Sequence, residues 1–165
     1  MLTEKEFVEL VNKHQNIIHK ICNVYMDNVA DKEDLFQEIT LQAWRSVKNF
    51  RGDAQFSTWL YRVALNTAIT FYRKEKKQVA TTFTEHFPDA KEEYDPVEEQ
   101  VQAMYKAIAG LSKIDKALVM LYLEDYSYKE MAEVLGMTVT NVGVKMNRLK
   151  TKLKEETNKY YHPIN

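Results

Sequence analysis

The stretch Phe56–Lys77, FSTWLYRVALNTAITFYRKEKK, decides how this chain is read. It contains neither Gly nor Pro, and Ser57 and Thr58 offer hydroxyls that can cap a helix start. Val63, Ala64, Thr67 and Ala68 fall on one side at helical spacing. Aromatic and polar residues (Trp59, Tyr61, Arg62, Asn66, Phe71, Tyr72) cover the remainder, and Arg73, Lys74, Lys76 and Lys77 close it. Between Trp59 and Gln78 five basic residues stand against one acidic, a net +4. Such a surface meets phosphate with its cations and stacks unpaired bases on its rings. A core helix with a solvated cationic tail, which offsets the helix dipole, has the same composition. The neighbouring segments separate the two readings.

Toward the N-terminus, Thr3 and Glu6 form a capping box, and Phe7, Leu10, Val11, His14, Ile17, Ile18, Ile21 and Tyr25 continue one helical stripe. Asp31 is the expected cap of a second helix through Phe50, with Leu35, Ile39, Ala43 and Val47 inside. Asp34, Gln37, Glu38 and Gln42 lie to one side of it with Leu41 and Trp44, an acid-and-amide face suited to a basic partner helix. Gly52 and Asp53 then break the period in a loop rimmed by Phe50 and Phe56. Three helices over residues 1–77 therefore make a first domain.

Toward the C-terminus the periodicity vanishes. Residues 78–96 hold two prolines and no repeating apolar face, and read as a flexible acidic linker. Glu85–Glu99 carries seven acidic residues against one Lys, whereas Lys145–Lys159 carries six basic against two acidic. The whole-chain charge of −1 averages over this segregation.

The second domain is expected over residues 97–165. Val101, Met104, Tyr105, Ile108 and Leu111 mark one helix, and Ser112 caps the next, with Ile114, Leu118, Leu121 and Tyr122 as its stripe. Ser127-Tyr-Lys-Glu130 is a capping box opening a short helix, Gly136 makes a turn, and Thr138 caps a final helix to about Lys154. That final helix keeps Val142, Met146, Leu149 and Leu153 inside, so the motif is a helix-turn-helix. Its outward residues are Thr140, Asn141, Val144, Asn147, Arg148 and Thr151. Arg suits guanine, Asn suits adenine, and an apolar side chain suits a thymine methyl. Lys145, Lys150, Lys152 and Lys154 suit phosphates.

The 165 residues, 45% hydrophobic with four Gly and three Pro, favour an all-α fold of two small helical domains. The single cysteine, Cys22, forms no internal disulfide and lies on an apolar face. His14 and His19 share a helical face poorly, so no metal site is expected. No cofactor motif is present. The opening MLTEKEFVEL is amphipathic rather than signal-like, and no apolar run reaches the ~20 residues that span a bilayer. The expectation is a soluble, cytoplasmic protein without membrane insertion.

A first domain with DLFQE, a Trp, a Gly-containing loop and FSTWLYRVALN resembles region 2 of bacterial sigma factors. The linker and a domain ending YSYKEMAEVLGMTVTNVGVKMNRLKTKL resemble the approach to their region 4 and region 4 itself. With both regions in so short a chain, the sequence resembles an extracytoplasmic-function (ECF) sigma factor. The resemblance implies a partner in core RNA polymerase, with Asp34, Leu35, Gln37 and Glu38 on its clamp helices. It implies promoter DNA as the second partner: Phe50, Arg51 and Phe56 of the loop capture a flipped minus-ten base. Trp59, Tyr61, Arg62 and Asn66 hold the melted strand, and Arg73, Lys74 and Lys77 meet the upstream duplex. For the minus-thirty-five element it implies Thr138, Thr140, Asn141, Val144, Lys145, Asn147, Arg148 and Lys152. It also implies an anti-sigma factor, a monomer when free, and no catalytic residue. Gly143 and Lys145 depart from relatives that carry basic residues able to fork to a base. Two rivals are a dimeric helix-turn-helix regulator, which leaves residues 56–77 unexplained, and a helical enzyme using Asp34 and Glu38, which lacks a base or nucleophile beside them.

Overall fold

The computed structural model describes residues 1–75 and 96–160; the side chains of residues 72–75, 96 and 160 are outside the description. Among the described residues every regular element is a helix: α1 (Glu4–Lys13), α2 (Gln15–Tyr25), α3 (Val29–Ser46), a 3-10 turn (Val47–Asn49), α4 (Phe56–Glu75), α5 (Pro96–Ala109), α6 (Lys113–Leu123), α7 (Tyr128–Leu135) and α8 (Val139–Tyr160). The linker expected over 78–96 falls almost wholly outside the described residues.

The capping boxes form as the sequence indicates. Glu6 N–H donates to Thr3 Oγ1 at 3.3 Å while Glu6 Oε2 accepts from Thr3 N–H at 2.8 Å. The same pair of bonds joins Ser127 and Glu130 at 3.1 and 2.7 Å. Gly136 takes a left-handed conformation (φ 66°) that a side chain would strain, and Met137 N–H closes the turn on Ala132 O at 3.0 Å.

Three expectations change. The single helix expected through Tyr25 is two, broken at His14, whose N–H reaches both Leu10 O and Val11 O. Phe7 and Val11 of α1 and Ile18 and Ile21 of α2 are all buried, and the first half has four α-helices. The cap of α3 is Asn28, accepting from Asp31 N–H at 2.8 Å, rather than Asp31 itself. On α5 the buried residues are Ala103, Ala107 and Ile108, and Val101 and Tyr105 are exposed, as is Tyr122 on α6. Small alanines let α5 approach α8 closely and leave the larger neighbours outside.

Both halves contribute to one continuous buried cluster. Its fully buried side chains are Ile18, Ile21, Leu35, Ile39, Leu60 and Leu65 in the first half and Leu118, Leu121, Met131, Val142 and Met146 in the second. Each such side chain contributes about 1.5–3 kcal/mol relative to exposure. Cys22 lies in this cluster, where burial pushes its thiol up to about 11, well away from reactive thiolate.

The halves also touch. Tyr25 Oη donates to Lys113 O at 2.7 Å, and Lys116 Nζ donates to Val24 O at 3.3 Å while lying 5.5 Å from the Tyr25 ring. Burial lowers the Lys116 ammonium below its ordinary value and raises the Tyr25 phenol. Lys20 and Glu124 pair at 3.1 Å across the same boundary, both exposed enough for water to screen them.

Gly143 sits in the interior of α8 with a negative φ, and a Cβ there would meet the Tyr128 ring at 3.9 Å, an ordinary contact. Gly143→Ala should therefore stabilise the second half by about 1 kcal/mol through helix propensity, read as a higher midpoint in urea with an unchanged slope.

Candidate nucleic-acid interface

Helix α4 positions the first candidate surface. Phe56, Leu60, Ala64, Leu65, Thr67 and Ala68 are buried, and Thr67 satisfies its hydroxyl by donating to Val63 O at 2.7 Å. Fixing that side fixes the other: Arg62 and Asn66 project as exposed residues and Trp59 is half-buried. The loop before α4 turns at Gly52 (φ 79°), a conformation Gly adopts without strain, with Arg51 exposed beside it. The chain then brings Phe50 back to 5.4 Å from Trp59 and 5.7 Å from Phe56, and Phe56 to 5.3 Å from Trp59. His14, at the break between α1 and α2, and Phe7 of α1 back Phe56 at 5.9 and 6.4 Å. The result is a fixed aromatic cluster with Trp59 at its accessible margin and cations beside it. Arg73 and Lys74 continue α4, their side chains outside the description, and Lys77 lies beyond the described residues.

Tyr61 does not join that outward face. It is 3% exposed and packs against Tyr126 of the second half, ring centroids 5.7 Å apart. Its hydroxyl has no hydrogen-bond partner among the described residues, and burial raises its phenol far above the ordinary range. In this arrangement Tyr61 cannot stack on a base.

Helix α3 carries the acid-and-amide face. Asp34 and Gln37 are exposed, Glu38 is half-buried and accepts from Gln42 Nε2 at 2.9 Å, and Leu41 and Trp44 lie exposed along the same helix. Leu35, grouped with these from sequence, is fully buried and anchors α3 in the core instead of meeting a partner. Trp44 rests 5.1 Å from Phe7, which ties this face to the aromatic cluster. No group of three or more His, Cys, Asp or Glu able to hold a metal occurs among the described residues, and none of their helices is long and apolar enough to cross a membrane.

In the second half, α7 and α8 form the expected helix-turn-helix. Thr138 spends its hydroxyl on the Asn141 N–H at 3.1 Å, so its side chain caps α8. Thr140, Asn141, Val144, Asn147, Arg148 and Lys152 are exposed and Lys145 is half-buried; Val142, Met146 and Leu149 face the core. Lys150 behaves differently from its neighbours. It donates to Tyr128 Oη at 3.2 Å and lies 4.6 Å from the Tyr122 ring; the Tyr128 bond, then that of Tyr122, raise its pKa. The counting of α8 lysines as phosphate ligands missed this clasp, for which the only sequence signal is a Tyr on each of two preceding helices.

Residues 10–78 match the family Sigma-70 region 2, and residues 101–153 match Sigma-70, region 4. The chain is 30% identical to the ECF RNA polymerase sigma-E factor of Escherichia coli K12, over 84% of this chain and 80% of that one. It is 27% identical to the ECF RNA polymerase sigma factor SigW of Bacillus subtilis, over 91% of this chain and 88% of the relative. Its fold is similar to the sigma factor RpoE of Bartonella quintana, solved in complex with the anti-sigma factor NepR (TM-score 0.69, 16% identity, 93% of this chain and 98% of that one). It is also similar to CnrH, solved with the cytosolic domain of CnrY (TM-score 0.66, 20% identity, 95% and 90%).

Because Tyr122 and Tyr128 hold Lys150, Lys150→Ala should lower the unfolding midpoint of the second half and weaken duplex binding little. Lys152→Ala should do the reverse, leaving the midpoint alone and reducing the slope of log affinity against log salt by about one. Thermal melts and a salt titration on the same duplex separate the two.

Proposed function

This chain belongs to the ECF family of RNA polymerase sigma factors, and we propose that it carries core RNA polymerase to promoters and opens them with the aromatic end of α4. One observation carries the reading: a single chain holds both a ring cluster beside cations, suited to unpaired bases, and a helix-turn-helix suited to duplex. A duplex regulator needs only the second. A helical enzyme finds little support around Glu38: beside it lie the amides of Gln42 and Asn66, apolar Val63 and Phe71, and the hydroxyls of Ser46, Thr67 and Thr70, of which Thr67 and Thr70 donate to helix carbonyls.

In this reading Asp34, Gln37 and Glu38 dock on polymerase, with Leu41 and Trp44 adding apolar area to a face otherwise held by charge. Phe50, Arg51, Phe56 and Trp59 form the pocket that takes a base of the minus-ten element. Phe50 and Phe56 shape it and Trp59 supplies the stacking surface. Arg62 and Asn66 follow the strand along α4, with Arg73, Lys74 and Lys77 on upstream phosphates. On α8, Asn141, Asn147, Arg148 and Val144 reach base edges of the minus-thirty-five element, Thr140, Lys145 and Lys152 contact its backbone, and Thr138 sets the start of the reading helix. The protein performs no covalent chemistry. It lowers the cost of unpairing by giving an unstacked base a surface, each base worth about 1–3 kcal/mol. The two readers are individually weak, and polymerase fixes their spacing so that their affinities multiply. In this reading the chain acts in the cytoplasm, is a monomer when free and is held in check by an anti-sigma factor; the similar RpoE of Bartonella quintana is found in complex with the anti-sigma factor NepR.

The test is binding of the purified chain to bacterial core polymerase, then transcription from a promoter pool with sequencing of the starts. Binding together with one shared pair of upstream elements is expected. A folded chain that ignores core polymerase and binds duplex tightly as a dimer contradicts the proposal. Asp34→Ala with Glu38→Ala should weaken core binding. Trp59→Ala with Arg62→Ala should leave core binding intact and cut productive starts roughly 10-fold or more, the loss of one stacked base and one charge contact.

A further inference from the structure

Of the four glycines, Gly143 is the one whose presence the fold does not explain. Gly52 and Gly136 take positive φ, and Gly110 stands where α5 ends. Gly143 lies inside α8 without a positive φ, where Gly costs a helix about 1 kcal/mol relative to Ala. A Cβ there would meet nothing closer than the Tyr128 ring at 3.9 Å, so no tight packing demands its absence. Its neighbours on α8 give it a different setting. Thr140, Gly143, Val144 and Asn147 stand at i, i+3, i+4 and i+7, the spacing of four residues that bound one hole on a helix surface. Thr140, Val144 and Asn147 are exposed, so the hole opens outward, away from the buried Val142, Met146 and Leu149. With no side chain at one corner, it widens as far as Tyr128 of α7. That ring is half-buried, and its hydroxyl accepts from Lys150 Nζ at 3.2 Å.

We propose that this hole takes the C5-methyl group of one thymine of the minus-thirty-five element, which makes Gly143 a specificity-determining position. The inference deepens the assignment of α8 as the reader of that element and rests on it. The walls have the chemistry a methyl needs. Val144, the methyl of Thr140 and the Tyr128 ring are apolar, and the thymine methyl is the one apolar feature that base edges present in the major groove. Asn147 is the polar wall, and its amide suits an adenine edge beside the thymine. The missing side chain supplies the room. A methyl entering from the DNA displaces nothing at Gly143, whereas Ala there would place a methyl of its own in the same space. The helix thus gives up propensity at Gly143 and gains a shape-selective contact.

The experiment uses the full chain with core polymerase on a promoter selected from the pool. Each thymine of its minus-thirty-five element, on either strand, is replaced singly by uracil, which removes only the methyl, and affinity is read by competition. The wild-type chain should lose about four-fold at one thymine, the burial of one methyl, and little at the others. Gly143→Ala should bind uracil and thymine equally at that place. The same variant should unfold at higher urea than the wild type, so the lost preference is not a loss of folding. An element without thymine, the lack of any uracil penalty in the wild type, or a penalty unchanged in Gly143→Ala overturns the proposal. Arg148→Ala separates that failure from a failure of the reader itself. It should weaken binding to the thymine and uracil duplexes alike; if it weakens neither, α8 is not the reader and the methyl contact falls with it.

Discussion

The structure depends on how α4 is buried. Leu60, Ala64, Leu65 and Ala68 fix its inner side against α2 and α3, and a straight helix cannot then choose what its other sides present. Trp59 is held at the margin by Phe50 and Phe56, and Arg62 and Asn66 are left in solvent. A surface that must accept a base without rearranging needs such backing, because ordering a loose ring at the moment of binding costs side-chain entropy. The core of the first half and its candidate function are thus one arrangement viewed from two sides.

Much of this was legible. Capping boxes at Thr3 and Ser127, the turn at Gly136 and the stripe Val142, Met146, Leu149 are local, with one dominant physical cause each, and they fold as read. What was not legible depends on contacts distant in sequence. No Gly or Pro marks the break at His14, and Phe7, Val11, Ile18 and Ile21 keep one helical spacing across it and are all buried, so the stripe gives no sign of it. Ala103 and Ala107 are buried in place of Val101 and Tyr105 because α8 approaches closely, which periodicity on α5 alone cannot reveal. Within the candidate site, Trp59, Arg62, Asn66 and the exposed face of α8 were readable from spacing. Tyr61 was not, because what covers it comes from Tyr126.

Charge segregation links the sequence pattern to the fold. A chain of net charge −1 has weak overall attraction for nucleic acid, yet its basic residues concentrate on α8 and the end of α4. Among the described residues, acids gather on α3, where a partner is expected, and at the α6–α7 corner, where they face α4 across a cleft between the halves. Opposite charges separated along the chain are thereby available both to external partners and to each other.

The central claim is that the ring cluster at the start of α4 holds a base out of the duplex. Permanganate reactivity of thymines reads unpairing directly, on a promoter selected by core polymerase carrying this chain. Thymines of the minus-ten element should become reactive with the wild-type chain and stay protected with Trp59→Ala, while the bound complex persists in both. Equal reactivity with the two chains would contradict the account, placing strand separation elsewhere in the complex.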